Sequence, residues 1–227
     1  MHSNNIKQFG LDIFSDTKKK WDENKGKSSI IMQNGFAVFY SPFNRNPDLM
    51  IIGHNPGKGK DDGKFNWKDE ATIPDVHDYI KMEYSLAIRQ NNLWNEMGRL
   101  EILRKSIKIN LLFFKSKNIA EWNSVEEEIR KPLENFCIDK VKEIIEHVKP
   151  KKILCEGVGT FDIFINRVLK TKAQPGEIRN HKNKRLFISA IYNDVYIIGI
   201  PHPTGARGIS REDLKIIREK LIEFFPN

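Results

Sequence analysis

Residues 49–57 run Leu49-Met50-Ile51-Ile52 and then Gly53-His54-Asn55-Pro56-Gly57, four apolar residues followed by an abrupt change to glycine, proline and polar side chains. An apolar run without alternation fits a strand buried on both faces. The same form recurs twice downstream. Lys152-Ile153-Leu154-Cys155 runs into Glu156-Gly157-Val158-Gly159, and Val195 to Ile200 runs into Pro201-His202-Pro203-Thr204-Gly205. A fourth strand is expected from Ile107 to Phe114, carrying Asn110.

Helix-period segments lie between these runs. Residues 78–104 place Met82, Leu86, Leu93, Met97 and Leu100 on one predicted helical face. Ile138, Val141, Ile144, Ile145 and Val148 form a second helix closed by Pro150, and Phe161 to Leu169 a third. Leu186 to Ile191 pairs with Val195 to Ile200 around Asn193-Asp194, and a terminal helix carries Leu214, Ile217, Leu221 and Phe225. Strands alternating with helices imply an α/β fold with a largely parallel sheet, whose sites form at the carboxyl ends of the strands. Upstream, Ile6, Phe9, Leu11, Ile13 and Phe14 predict an amphipathic helix, and residues 29–40 predict two short strands around Asn34-Gly35. Residues 1–44 thus read as a helix and hairpin extension, capping a sheet edge, on a single domain spanning 1–227.

Composition narrows the classes. The chain has 227 residues, 39% hydrophobic and 30% charged, enough for one α/β domain with its own core. Its longest apolar stretch, about Val195 to Pro201, is far short of the ~20 residues of a membrane span. No secretory h-region is visible in the first ten residues, and a cytoplasmic monomer is expected. The two cysteines, Cys137 and Cys155, are too few for a Cys-rich zinc or iron–sulfur site. The formal net charge of +8 hints at an anionic partner.

The loop after Ile52 invites a phosphate-loop reading, but five residues separate Gly53 from Gly59 where four are required, and Lys60 is followed by Asp61 rather than Ser or Thr. What remains is His54 and Asn55 fixed between glycine and proline at a strand end, and His202 stiffened between Pro201 and Pro203 at another.

LMIIGHNPG with a distant IPHPTG resembles the two active-site motifs of the uracil-DNA glycosylase superfamily, in the GxNPG form of its mismatch-specific and single-strand-selective branches. KINLLFF resembles the family's middle, Asn-bearing strand, and the resemblance spans about residues 45–225. It implies a three-layer α-β-α fold and a monofunctional DNA glycosylase without metal or organic cofactor, acting on uracil or another deaminated or damaged base. Asn55 would position the attacking water, His202 would stabilise the departing base, and Asn110 would read the base edge. Gly53, His54, Pro56 and Thr204 would complete the base pocket. Gly57 stands where strict uracil enzymes carry a Tyr that excludes a 5-methyl group, so larger bases would be admitted. Phe65 and Trp67 are either a stacking platform for the base or anchors of their loop.

DNA contacts are expected from Lys58, Lys60, Pro203, Gly205, Ala206 and Arg207. Ala206 is a departure, since the family carries a bulky wedge there. Arg207 beside it offers a planar substitute, and single-stranded or distorted DNA becomes the more plausible substrate. Two basic stretches, Lys58/Lys60/Lys64 and Arg167/Lys170/Lys172/Arg179/Lys182/Lys184/Arg185, read either as phosphate contacts or as solvated surface. Glu126, Glu127 and Glu128 read as a helix start. A non-catalytic relative that binds DNA or a nucleobase is the alternative reading, and an unrelated α/β protein is the third.

Overall fold

The alternation of apolar runs and helix-period segments is realised as a six-stranded sheet with helices on both faces. The computed structural model describes residues 3–27, 30–58, 65–70, 72–171, 176–204 and 208–226. In chain order the elements are α1 (Ser3–Asp22), α2 (Ile30–Asn34), β1 (Met50–Gly53), α3 (Trp67–Glu70), α4 (Asp78–Lys81), α5 (Ser85–Glu96), α6 (Leu100–Lys105), β2 (Ile107–Asn110), α7 (Ile119–Asn123), α8 (Glu127–Val148), β3 (Lys152–Glu156), α9 (Val158–Ile163), a π-helical turn (Phe164–Val168), β4 (Gly176–Arg179), β5 (Arg185–Tyr192), β6 (Val195–Ile200) and α10 (Arg211–Phe224).

The strand order is β2-β1-β3-β6-β5-β4. β2, β1, β3 and β6 are parallel, and β5 and β4 continue the sheet antiparallel. Side chains alternate across it. Met50, Ile52, Ile107, Ile109, Ile153 and Cys155 enter one apolar cluster, with α1 and α8. Leu49, Ile51, Leu154, Ile198 and Ile200 enter the other, with Trp94 of α5 and Ile217 and Leu221 of α10. This is a three-layer α/β/α arrangement, and the double burial explains the unalternated apolar strands. Among the described residues no helix is long and apolar enough to cross a membrane.

Several local expectations are corrected. Residues 29–40 do not form a hairpin. Ile30–Asn34 is a helical turn, and Gly35 ends it at φ +78°. The chain then runs alongside the segment after β2, with Ala37 N–H donating to Phe113 O at 2.8 Å. Asn34-Gly35 therefore acts as a helix stop rather than a strand turn, and Ile31, Met32, Phe36, Ala37, Val38 and Phe39 are all buried. The single helix expected over 78–104 is three, broken before Ser85 and at Gly98, whose φ is +67°. Met82 is exposed, as is Leu214 in the last helix. β4 lies in a stretch read only for its charge.

The N-terminal helix belongs to the core rather than to an edge. Ile6, Ile13 and Phe14 are buried, Phe9 stacks on His147 of α8 at 3.9 Å, and Lys140 of α8 pairs with Asp16 at 2.8 Å.

Candidate active site at the carboxyl ends of the parallel strands

Parallel pairing brings four strand ends side by side. The register sets Gly53 beside Asn110 and Glu156 beside Ile200. From β1 the chain passes to β2 on one side and reaches β3 on the other, so the order reverses between β1 and β3, where crevices form in open α/β sheets. The loops bearing His54, Asn55 and His202 and the last residue of β2, Asn110, all leave this edge.

Each motif side chain is held in a defined orientation. The Asn55 amide nitrogen donates to Pro56 O and Ser116 Oγ, both at 2.8 Å, with Ser116 O at 3.3 Å. Carbonyl oxygens accept only, so these partners fix which arm of the carboxamide is nitrogen and leave Oδ1 as its acceptor arm. Ser116 N–H returns a bond to Pro56 O at 3.1 Å, and Gly57 bridges to Ser116. Among the described residues, an added Cβ at Gly57 would meet nothing within 4 Å. His54 is half-buried, and its carbonyl accepts from Leu112 N–H at 2.9 Å.

His202 accepts at Nδ1 from Thr204 N–H at 3.3 Å, with the Thr204 hydroxyl 3.1 Å away. A backbone N–H can only donate, so the ring proton resides on Nε2, which is left as the donor nitrogen. Burial lowers the His202 pKa below the ordinary histidine value, Glu156 opposing and Lys108 adding to it, so the ring is neutral at pH 7. Burial lowers His54 in the same way. Arg89 of α5 donates to Pro203 O at 2.9 Å and ties the His202 loop to that helix.

Beneath this row lies a buried polar network that the sequence did not announce. Glu156, 1% exposed, accepts from Tyr79 Oη at 2.7 and 2.8 Å, Gln90 Nε2 at 2.6 Å and Lys108 Nζ at 3.1 Å. Lys108 Nζ also donates to Ile109 O at 2.9 Å and Asn110 Oδ1 at 3.0 Å. Burial alone would raise the Glu156 carboxyl, but Lys108 and the Tyr79 hydroxyl hold it below the usual carboxylate range. Gly53 has to be glycine here: a Cβ would lie 2.2 Å from Asn110 Oδ1 and 2.6 Å from Lys108 Nζ. The signals in the sequence were a lysine inside the apolar run of β2 and a glutamate closing that of β3.

Other expected site residues lie elsewhere or carry other duties. Phe65 is not an open platform. Its ring packs on Trp21 and Phe36, each at 5.2 Å between centroids, and fills the space above Gly35. Trp67 packs against the same cluster under Lys18. Both are loop anchors. Lys58 is half-buried at the end of the motif loop. Lys60, Lys64, Lys172, Gly205, Ala206 and Arg207 lie outside the described residues.

Much of the second basic stretch is paired within the fold. Arg167 bonds Glu134 at 2.8 Å, Arg179 bonds Glu177 and Arg185 bonds Asp162, both at 2.6 Å. Glu127 pairs with Lys131 in the first turns of α8. A cleft of about 250 Å³ is lined by His54 of the first motif loop, by Leu111 and Leu112 just after β2, and by Trp122, Arg130, Glu134 and Arg167. Compared with known proteins, the chain matches no family model and no curated protein.

Proposed function

We propose that this protein is a monofunctional DNA glycosylase that hydrolyses the N-glycosidic bond of uracil or another deaminated or damaged base in DNA. The observation that carries the reading is the His202 tautomer: with Nδ1 accepting from Thr204 N–H, Nε2–H is the donor that a departing base oxygen requires. Asn55 supports it from the other motif. Its pinned amide nitrogen turns Oδ1 into an acceptor that orients a water toward the anomeric carbon. The water oxygen forms the new bond to that carbon, and the glycosidic electron pair leaves on the base. Negative charge gathering on the base oxygen is met by His202 Nε2–H, and the water proton passes to solvent. The opening at Gly57 is compatible with bases larger than uracil. Cys137 and Cys155, both buried free thiols, fit a reducing cytoplasm, and the enzyme is expected to act as a monomer.

The test is base release in EDTA from single- and double-stranded oligonucleotides carrying uracil, hypoxanthine, xanthine or 5-hydroxymethyluracil, with abasic sites cleaved by alkali. Cleavage by the wild type that is lost in Asn55→Ala and His202→Ala is the expected result. Folded wild type that binds DNA yet releases no base would overturn the enzyme reading in favour of a binding module.

A further inference from the structure

Asn180-His181-Lys182-Asn183-Lys184 turns the chain from β4 into β5, and all but Asn180 are exposed. An exposed polar turn gains little from burial, so its order has to come from hydrogen bonds. Asn180 Oδ1 accepts from the N–H groups of Lys182 at 3.0 Å and Lys184 at 2.9 Å, which closes the turn on its own first side chain. Asn183 takes the left-handed conformation at φ +59°, and its carbonyl accepts from Arg179 Nη1 at 3.0 Å. The turn is also tied to the chain downstream of His202. Asn180 Nδ2 donates to Asp213 Oδ2 in the first turn of α10 at 2.9 Å and to Gly208 O at 3.4 Å. The Lys184 stem passes Gly208, with Cε 3.9 Å from where a Cβ would stand. β5 runs antiparallel to β6, pairing Ile188 with Gly199. The turn before β5 therefore lies at the carboxyl end of β6, where the His202 segment begins.

The carboxylates nearby are already engaged. Glu177 takes Arg179 and Asp162 takes Arg185, both at 2.6 Å, while Asp213 accepts from Asn180 and from Ser210 N–H at 2.8 Å. Among the described residues Lys182 and Lys184 pair with no acid. Exposed ammonium groups on a fixed turn suit a chain of phosphates, which binds by displacing counterions and needs no buried pocket. We infer that the β4–β5 turn is a DNA-contacting surface, on which Lys182 and Lys184 meet backbone phosphates of the strand whose base enters beside His202. The inference rests on the DNA reading above and deepens it by naming the element that holds the strand.

The experiment is fluorescence anisotropy of a labelled, undamaged single-stranded oligonucleotide across a salt series, so that no chemistry is needed. Lys182→Ala with Lys184→Ala removes the cations of the turn. Lys142→Ala with Lys151→Ala removes two others, paired with Glu146 and Asp48, the second of them just before the amino end of β3. All four lysines are exposed, and both variants are expected to melt with the wild type. Each phosphate contact to a single strand adds about 0.7 to the slope of log K against log salt, so the turn variant is expected to be shallower by about 1.4 and to bind about tenfold or more weakly at low salt. The Lys142/Lys151 variant is expected to keep the wild-type slope. An unchanged slope in the turn variant, an equal loss in both variants, or no binding of the oligonucleotide by wild type would overturn the inference. A shallower slope in a protein that releases no base would defeat the glycosylase reading and leave the DNA surface standing, and base release with an unchanged slope would do the reverse.

Discussion

Asn55 and Asn110 are the same residue with opposite arms engaged: protein acceptors hold the nitrogen of one, and a protein donor holds the oxygen of the other. One is left as an acceptor suited to a water, the other as a donor suited to a carbonyl. On the proposed function, removing His202 would delete a single donor aimed at developing charge, a loss that costs on the order of 10²–10³ in rate. His202→Ala is therefore expected to lower the single-turnover rate of base release by about that factor with little change in DNA affinity. A parallel loss of affinity would mean that the ring serves binding instead. Gly53→Ala tests the floor of the site. The new Cβ has no room beside Asn110 Oδ1 and Lys108 Nζ, so the pair must shift. Uracil binding should weaken about tenfold or more while the protein still melts cooperatively. Unchanged binding would show that the pair can yield without consequence.

At the scale of elements, α4 couples the site to acid. His77 caps this helix by accepting Tyr79 N–H at Nδ1, 3.1 Å away, and burial pulls its pKa down to about 4. The unfolded chain takes up the proton near 6.5, so stability is complete above that pH and is lost as pH falls toward 4. The two and a half units between correspond to roughly 3 kcal/mol. Urea denaturation from pH 7 to 4 should show this decline, and His77→Asn, which keeps a capping acceptor, should flatten it. An equal decline in the variant would place the acid sensitivity elsewhere. Three of the four strand ends were legible in the sequence because apolar runs that stop at glycine or proline have few other meanings; the fourth, expected to run from Ile107 to Phe114, ends at Asn110. Asn34-Gly35 misled because the same pair serves a hairpin or a helix stop, and only the burial of Ile31, Met32 and Phe36 to Phe39 around it decides. Lys108 and Glu156 stayed hidden for a related reason. A charged residue in a strand ordinarily faces solvent, and nothing local reveals that two of them will meet across β1.

At the scale of the whole molecule, a formal charge of +8 overstates what is available to a polyanion. Arg167 is bonded to Glu134 and Asn135, and Glu134 also takes Arg130 and the Trp122 indole, all at 2.8–3.2 Å. Burial would raise the Glu134 carboxyl, but these donors hold it below its ordinary value. The arrangement clamps the π-helical turn to α8, and its guanidinium is a structural tie rather than a phosphate contact. Each phosphate contact steepens the dependence of log K on log salt by about 0.9. Arg167→Ala should therefore leave that slope for an oligonucleotide unchanged while lowering unfolding free energy by roughly 1–2 kcal/mol, a charge-assisted hydrogen bond discounted for a partly exposed guanidinium. A slope shallower by about one unit, with stability intact, would return Arg167 to the DNA-binding face. On the proposed function, an unchanged slope assigns the salt dependence to cations other than Arg167, near the path by which a base would reach Asn55 and His202.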